Sequence, residues 1–117
     1  MPRDHRKLDA FQLADQLVIT IYRLTVDLPS TERFGIQSQL RRAALSIATN
    51  IVEGCARDSQ GDLKRFLDIA FGSSREVLYL ISIATRLGFI KEHGAREVVT
   101  LGDRVAGAVL NLRRSLR

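Results

Sequence analysis

The stretch SQLRRAALSIATNIVEGCARDS, residues 38–59, decides the fold because its apolar residues recur at every third or fourth position. That period is typical of an α-helix and not of a strand. At about 100° of rotation per residue, six apolar or small residues share one side of this helix: Ile36, Leu40, Ala43, Ile47, Ile51 and Gly54. We expect this side to face the core of a helical protein.

A polar stripe runs beside the core side of the same helix. Its members are Gln39, Arg42, Ser46, Asn50, Glu53 and Arg57. Asn50 is nearest the core, so its amide must find hydrogen-bond partners or cost about 1–3 kcal/mol. Arg57 follows Glu53 by four residues, a favourable spacing for an ion pair. Because no nucleophile stands beside a base here, we interpret the stripe as a structural strip that fixes helix packing.

The side of this helix away from Asn50 and Glu53 is also mostly apolar or small, which is typical of a helix buried on more than one side. A second subunit covering it predicts a homo-oligomer built through the second and third helices. The candidate interface residues are Ala44, Leu45, Ala48, Val52 and Cys55 on the second helix, and Ile69, Phe71, Leu80 and Ile83 on the third. The alternative is that the bundle is wide and these residues complete its own core.

Helical periodicity extends along the whole chain, which has only two prolines, Pro2 and Pro29. Ser59 with Asp62 three residues later resembles a capping box, and Gly88 suits a helix C-terminus. The predicted helices span about 8–27, 36–57, 60–87 and 92–114. Short connections place neighbouring helices antiparallel. The sequence therefore predicts an all-α, up-down-up-down four-helix bundle in a single domain, 1–117.

Positive charge is concentrated at the two chain ends. Residues 1–7 have a net charge of +2 and residues 113–117 of +3, which together equal the net +5 of the chain. An anionic partner such as RNA or DNA would be attracted to these ends. The candidate nucleic-acid-binding residues are Arg3, Arg6, Lys7, Arg113, Arg114 and Arg117, with Arg41 as a candidate in the body of the chain. Since the chain has no tryptophan and its aromatic residues sit mainly at core spacing, binding would be electrostatic and independent of sequence.

Two other functions remain open. The first is a purely structural protein–protein interaction scaffold whose charge only keeps it soluble. The second is a small helical-bundle ribonuclease, because Arg86 and His93 loosely fit the arginine–histidine spacing of such enzymes, although Gly88 breaks the helix between them. We expect a non-enzymatic protein.

No metal, cofactor or membrane span is expected. A di-metal bundle site needs Glu-x-x-His motifs, and neither His5 nor His93 follows a glutamate by three. No apolar run approaches the roughly 20 residues of a membrane helix, and no signal peptide is evident. The single cysteine, Cys55, cannot form an internal disulfide, which suits the cytoplasm.

Three motifs resemble a known bacterial family. They are QLRRA (39–43), S-I-x-x-N-I-x-E-G (46–54) and FL-x-I-A-x-G-S (66–73), preceded by IYRLT (21–25) and ERFG (32–35). The chain is similar to the four-helix-bundle proteins encoded in intervening sequences of 23S ribosomal RNA genes. The accessory variability determinant of diversity-generating retroelements has the same fold.

The resemblance implies a homopentameric ring of four-helix bundles. It also implies contact with nucleic acid or with a nucleic-acid-handling protein, since the retroelement relative binds both nucleic acid and a reverse transcriptase through basic surface. The intervening-sequence members have no established biochemical activity. The motif positions here are Gln39, Leu40, Arg41, Arg42, Ser46, Asn50, Glu53, Gly54, Arg57, Gly72, Ser73 and Glu76.

The sequence departs from the family pattern at three positions. Ala48 replaces a usual proline, Leu13 a usual tryptophan, and Leu78 the second acidic residue usual after Glu76. The last change weakens any metal-binding acidic cluster.

Overall fold

Four α-helices account for most of residues 2–117, the part of the chain that the computed structural model describes, and that part contains no strand. The helices are α1 (Asp9–Leu24), α2 (Ile36–Cys55), α3 (Gln60–Arg86) and α4 (Glu92–Ser115). Two short 3₁₀ helices, His5–Lys7 and Ser30–Glu32, precede α1 and α2. The predicted all-α class with four helices is confirmed.

Helix α1 ends at Leu24, earlier than the predicted end near residue 27. Pro29 disfavours helical backbone at the residue before it and has no N–H to donate. The chain therefore turns early: the Thr25 hydroxyl donates to the Ile21 carbonyl at 2.7 Å, and the Leu28 N–H donates to the Thr25 carbonyl at 3.3 Å. These bonds satisfy groups that a longer helix would have used.

Both predicted caps of α3 are confirmed. At its start, the Ser59 hydroxyl accepts a hydrogen bond from the Asp62 N–H at 3.0 Å. At its end, Gly88 has a φ of 80°, a conformation that favours glycine. The Phe89 N–H donates to the Ala84 carbonyl at 2.9 Å and closes the Schellman motif.

Each helix packs against two others, so that α2 and α4 both contact α1 and α3. The α2–α3 contact is the most extensive of these. Gly54 near the end of α2 faces Phe66 near the start of α3, whereas Arg42 near the start of α2 reaches Glu76 further along α3. Residue numbers therefore rise along α2 as they fall along α3.

Helix α2 is buried on more than one side by its own chain, which corrects part of the predicted oligomer interface. Ala44, Ala48 and Cys55 are buried within this single chain. The segment before α1 covers the end of α2, where the Arg3 N–H donates to the Cys55 carbonyl at 2.8 Å. Local periodicity does not reveal such a cover. Phe71 and Leu80, two further interface candidates, are partly buried against the same core.

A methyl group at Gly54 should destabilise the α2–α3 contact. In Gly54→Ala the new Cβ would lie 2.8 Å from the Phe66 Cβ and 2.9 Å from the Leu63 Cδ1. We expect the free energy of unfolding, measured by urea denaturation, to fall by about 1–2 kcal/mol. The matched control is Gly107→Ala on α4, where nothing lies within 4 Å of the added atom and the better helix former should stabilise slightly. Equal stability of the two variants would contradict the close approach.

Candidate nucleic-acid interface

The two basic chain ends meet at one end of the structure. The Arg3 N–H donates to the carbonyl of Cys55, the last residue of α2, at 2.8 Å. The Arg117 N–H donates to the Oε1 atom of Gln60, the first residue of α3, at 3.0 Å. Both ends are thus held at the short connection between α2 and α3. A cavity of about 270 Å³, lined in part by Arg3, Arg57 and Gln60, lies at this connection.

We call these basic residues the terminal basic cluster: Arg3, Arg6, Lys7, Arg57, Arg113, Arg114 and Arg117. Arg57 lies outside both chain ends and was predicted only as part of the polar strip. Its place beside the chain ends could be predicted from the sequence, since in an antiparallel bundle the second connection lies at the same end as both termini.

Two arginines of the cluster are paired with carboxylates. The Arg6 Nε lies 2.9 Å from the Asp4 Oδ1, and the Arg113 Nε lies 2.8 Å from the Asp68 Oδ1. Hydrogen bonds from these guanidinium groups lower the pKa of Asp4 and the pKa of Asp68 below their ordinary values. Both carboxylates therefore stay ionised and offset part of the positive charge.

Of the five other members, Arg57 lies against the Phe66 ring, and the four cations of the chain ends remain for an outside anion. They are Arg3, Lys7, Arg114 and Arg117, all exposed. Within residues 2–117, no carboxylate forms an ion pair with any of them. The cluster therefore presents a net positive surface whose members come from both chain ends.

Arg41 lies apart from the other predicted nucleic-acid-binding residues. Its Nε donates to the Thr25 hydroxyl at 2.9 Å, and its Nη2 donates to the Tyr22 carbonyl at 3.3 Å. Its guanidinium also lies 4.5 Å from the centre of the Tyr22 ring. Arg41 thus joins α1 to α2, about 20 Å along α2 from Cys55. Arg41 was predicted as a candidate in the body of the chain, separate from the chain ends, and its role in nucleic-acid binding stays a prediction.

The predicted polar strip forms a hydrogen-bonded seam between α2 and α3. The Arg42 Nη2 donates to the Gln39 Oε1 at 2.7 Å and lies 2.9 Å from the Glu76 Oε2 on α3. One turn further along α2, the Ser46 and Ser73 hydroxyl oxygens are 2.9 Å apart. These two links position α2 against α3, as a structural strip should.

Asn50 has the partners that its half-buried position requires, but the predicted Glu53–Arg57 ion pair does not form. The Asn50 Nδ2 donates to the Ser46 carbonyl at 2.7 Å and to the Ser46 hydroxyl at 3.1 Å. Arg57 lies beyond the end of α2, so the helical i,i+4 geometry no longer holds there. Its guanidinium lies 5.1 Å from the centre of the Phe66 ring instead.

The remaining interface candidates lie on the outside of the seam, and we call them the outer α2–α3 face: Leu45, Val52, Ile69 and Ile83. Ile69 is 52% exposed and precedes Ser73 by one helical turn. Leu45 is 39% exposed and follows Arg42 by three residues. Val52 and Ile83 are half-buried. Apolar side chains therefore reach the surface on both sides of the seam.

Two aromatic residues are exposed and depart from the expected core spacing: Tyr79 on α3, which is 61% exposed, and Phe34. Phe34 is 89% exposed, just before α2 begins. The guanidinium of Arg33 lies 5.9 Å from the centre of its ring. The signal in the sequence was its place in the connection between Pro29 and α2, outside any helical face.

Arg86 and His93, the two residues of the ribonuclease hypothesis, line two different grooves. Arg86 lines a groove of about 470 Å³ between α3 and α4, whereas His93 lines a different groove of about 390 Å³. The His93 Nε2 lies 3.2 Å from the Glu97 Oε1. The two grooves adjoin, since Arg96 and Thr100 line both, and the ribonuclease hypothesis stays a prediction.

Burial raises the pKa of the Cys55 thiol, which disfavours the reactive thiolate form. Within residues 2–117, no three His, Cys, Asp or Glu side chains form a group suited to a metal ion. None of the helices in that part of the chain is both long and apolar enough to cross a membrane.

Comparisons with known proteins agree on the fold. A family model described as 23S rRNA-intervening sequence protein matches residues 6–110. The crystal structure of a protein with unknown function from the S23 ribosomal protein family of Bacteroides thetaiotaomicron aligns with a TM-score of 0.83. The alignment covers 90% of this chain and 95% of that chain at 19% identity, a level that shows the fold alone. No curated protein matches the sequence.

Asp68→Asn should lower stability only where the Asp68 carboxylate is ionised. The folded-state pKa of Asp68 lies below the unfolded value of about 3.9, so its contribution is complete above that pH and is lost as the pH falls through the folded-state pKa. Because the pair with Arg113 is exposed, we expect a loss below about 1 kcal/mol at pH 7. In urea unfolding, this difference from the wild type should begin to narrow below about pH 4 and should close once the pH lies below the folded-state pKa of Asp68.

The control for this measurement is Asp15→Asn, since Asp15 is exposed and no ion pair within residues 2–117 involves it. A stability difference for Asp68→Asn that persists unchanged in acid would show that its carboxylate charge is not what stabilises the fold.

Proposed function

The chain belongs to the 23S rRNA-intervening sequence protein family, and from this premise we propose that it is a non-enzymatic, homo-oligomeric, up-down-up-down bundle that binds nucleic acid. The contacts are electrostatic and independent of base sequence. The protein then serves either alone or as an accessory to a nucleic-acid-handling protein.

The observation that carries this proposal is the meeting of both chain ends at the α2–α3 connection. Arg3 is held to Cys55 and Arg117 to Gln60 by hydrogen bonds of 2.8 and 3.0 Å. Ends that were merely frayed and solvated would not share one anchoring point. Their charges therefore act as one surface, and the field of several adjacent cations attracts a polyanion more strongly than isolated charges do.

The chemistry of the terminal basic cluster favours phosphate over bases. Four of its cations lie at the chain ends and have no ion-pair partner in the described chain: Arg3, Lys7, Arg114 and Arg117. Their long side chains are suited to phosphate oxygens. Each phosphate that they neutralise releases condensed counterions, which supplies affinity without base recognition. A duplex DNA or a structured RNA therefore fits this surface.

The bundle topology is supported by residue pairs that run in opposite directions along neighbouring helices. Arg42 reaches Glu76 and Gly54 faces Phe66 across α2 and α3. Across α3 and α4, Arg113 pairs with Asp68, whereas Gly102 faces Leu78. An antiparallel order gives both pairs of helices this pattern.

Assembly into an oligomer is supported by the outer α2–α3 face. Ile69 and Leu45 expose apolar surface on both sides of a polar seam, an arrangement that protein interfaces use. The resemblance to the family suggests five copies. A ring would multiply the terminal basic cluster and so raise the affinity for a long polyanion.

The competing proposal is a structural scaffold that binds another protein. The outer α2–α3 face also favours this role, since an exposed apolar patch is suited to either kind of partner. The scaffold does not need the terminal cations, so removing them distinguishes the two proposals.

Removing the four cations should weaken nucleic-acid binding. In the variant Arg3→Gln, Lys7→Gln, Arg114→Gln and Arg117→Gln, the net charge falls by four while Arg6 and Arg113 keep their partners. We expect the affinity for structured RNA and duplex DNA, measured by fluorescence anisotropy at low salt, to fall at least about tenfold.

The matched control removes the same charge elsewhere, at exposed arginines of α1, α3 and α4: Arg23→Gln, Arg75→Gln, Arg96→Gln and Arg104→Gln. Its affinity should stay much closer to that of the wild type. If both variants weaken equally, net charge alone is responsible and the terminal basic cluster is not the binding surface.

A charge on the outer α2–α3 face should disrupt the assembly. We expect light scattering of the wild type at micromolar concentration to give a multiple of the 13.1 kDa chain mass, and Ile69→Glu to shift it towards one chain because a buried unpaired carboxylate is costly. Ile19→Glu is the control, since Ile19 is 46% exposed on α1. A monomeric wild type would refute the oligomer.

A further inference from the structure

An exposed aromatic ring stands among three arginines where α1 meets α2. Phe34 is 89% exposed. It lines an open groove of about 440 Å³ together with Arg33, Arg41 and Arg42, and Tyr22 forms part of the wall. No acidic residue lines this groove. Isolated exposed apolar residues are ordinary, but a phenylalanine beside three cations needs a further explanation.

The three arginines differ in what they can offer a ligand. Arg33 is exposed, and within residues 2–117 it has no ion-pair partner. Arg41 is held by Thr25 and contributes positive charge from a fixed position. Arg42 is paired with Glu76 at the seam but remains exposed. Arg33 is therefore the cation that is ready to bind an anion next to the ring.

The Phe34 ring is suited to stacking. Its 89% exposure means that the neighbouring Arg33 does not cover both faces. Nucleic-acid bases stack on such rings whatever their sequence, and adjacent arginines bind the flanking phosphates. Bases inside a duplex are already stacked on one another, so only an unpaired strand has a base to offer.

From these observations we propose that the groove around Phe34 binds single-stranded nucleic acid, with a base stacked on Phe34 and the backbone near Arg33 and Arg42. This inference rests on the proposed function. It adds a second binding site, whose preferred substrate is single-stranded nucleic acid. The groove lies by the start of α2, whereas the terminal basic cluster lies by its end. Since α2 has 20 residues, the two sites are about 30 Å apart.

The charge of the groove argues against a second copy of the chain as its occupant. Each copy carries a net charge of +5, so another copy brings repulsion to a wall that already holds three arginines. The apolar residues suited to contact between copies lie on the outer α2–α3 face, with only Leu45 shared between that face and the groove. A polyanion is the complementary occupant.

The absence of tryptophan from the sequence allows a direct test of stacking. Phe34→Trp would place the only tryptophan at the groove, where a stacked base quenches its fluorescence. We expect saturable quenching by a short oligouridylate and little by a duplex of the same length. The control is Leu87→Trp, since Leu87 is 59% exposed and does not line this groove; it should show no saturable quenching.

Phe34→Ala tests how much the ring contributes to the affinity for single-stranded nucleic acid. Because the ring is exposed, its removal should leave the fold unchanged. We expect the affinity for oligouridylate to fall roughly ten- to a hundredfold, with duplex affinity unchanged. Unchanged affinity for oligouridylate, together with no quenching in Phe34→Trp, would overturn the proposed single-strand site. The proposal for the terminal basic cluster would stand.

Two other outcomes are distinguishable. A wild type that binds neither oligouridylate nor duplex would refute the proposed function itself, and the groove with it. A change in the mass of Phe34→Ala by light scattering would show that the ring contacts another copy of the chain, which would also overturn the single-strand site.

Discussion

Where Gly54 faces Phe66, α2 and α3 approach so closely that an added methyl carbon would lie 2.8 Å from the Phe66 Cβ. This approach determines much of the remaining structure. It aligns the two helices so that the Arg42–Glu76 pair and the Ser46–Ser73 hydrogen bond form along one seam. It also buries the small residues of α2, which a bulkier contact would hold away from the core. The polar strip and the core of α2 are thus two sides of one packing arrangement.

The connection between these two helices explains why the positive charge is concentrated at one end of the structure. The α2–α3 connection is short, and both chain ends are anchored to the residues that flank it. A sequence whose charge excess lies at its two extremes therefore places that excess at one end of the structure. The Phe34 groove is at the other end, where the α1–α2 connection leaves an aromatic ring outside the core. The locations of the two candidate sites are therefore determined by the connections between helices and not by the sequence of any one helix.

Local features could be predicted from the sequence, and features that depend on distant segments could not. Helix number, the Ser59 cap and the Gly88 cap depend on nearby residues, and all three were confirmed. The partners of Asn50 lie one turn away on the same helix. In contrast, the burial of Cys55 depends on the segment around Arg3, some fifty residues earlier in the chain. The predicted Glu53–Arg57 ion pair is absent because α2 ends before Arg57, whose guanidinium contacts the Phe66 ring instead. The exposure of Phe34 likewise depends on where a connection lies and not on periodicity.

The most direct test of the account is the salt dependence of binding by the unmodified protein. The logarithm of its association constant for duplex DNA should be plotted against the logarithm of salt concentration. If Arg3, Lys7, Arg114 and Arg117, the four chain-end cations without an ion-pair partner in residues 2–117, each neutralise a phosphate, the slope should be about −3.5 or steeper. Absence of binding at low salt, or a slope near zero, would contradict an electrostatic nucleic-acid interface and leave the protein-binding scaffold as the better explanation.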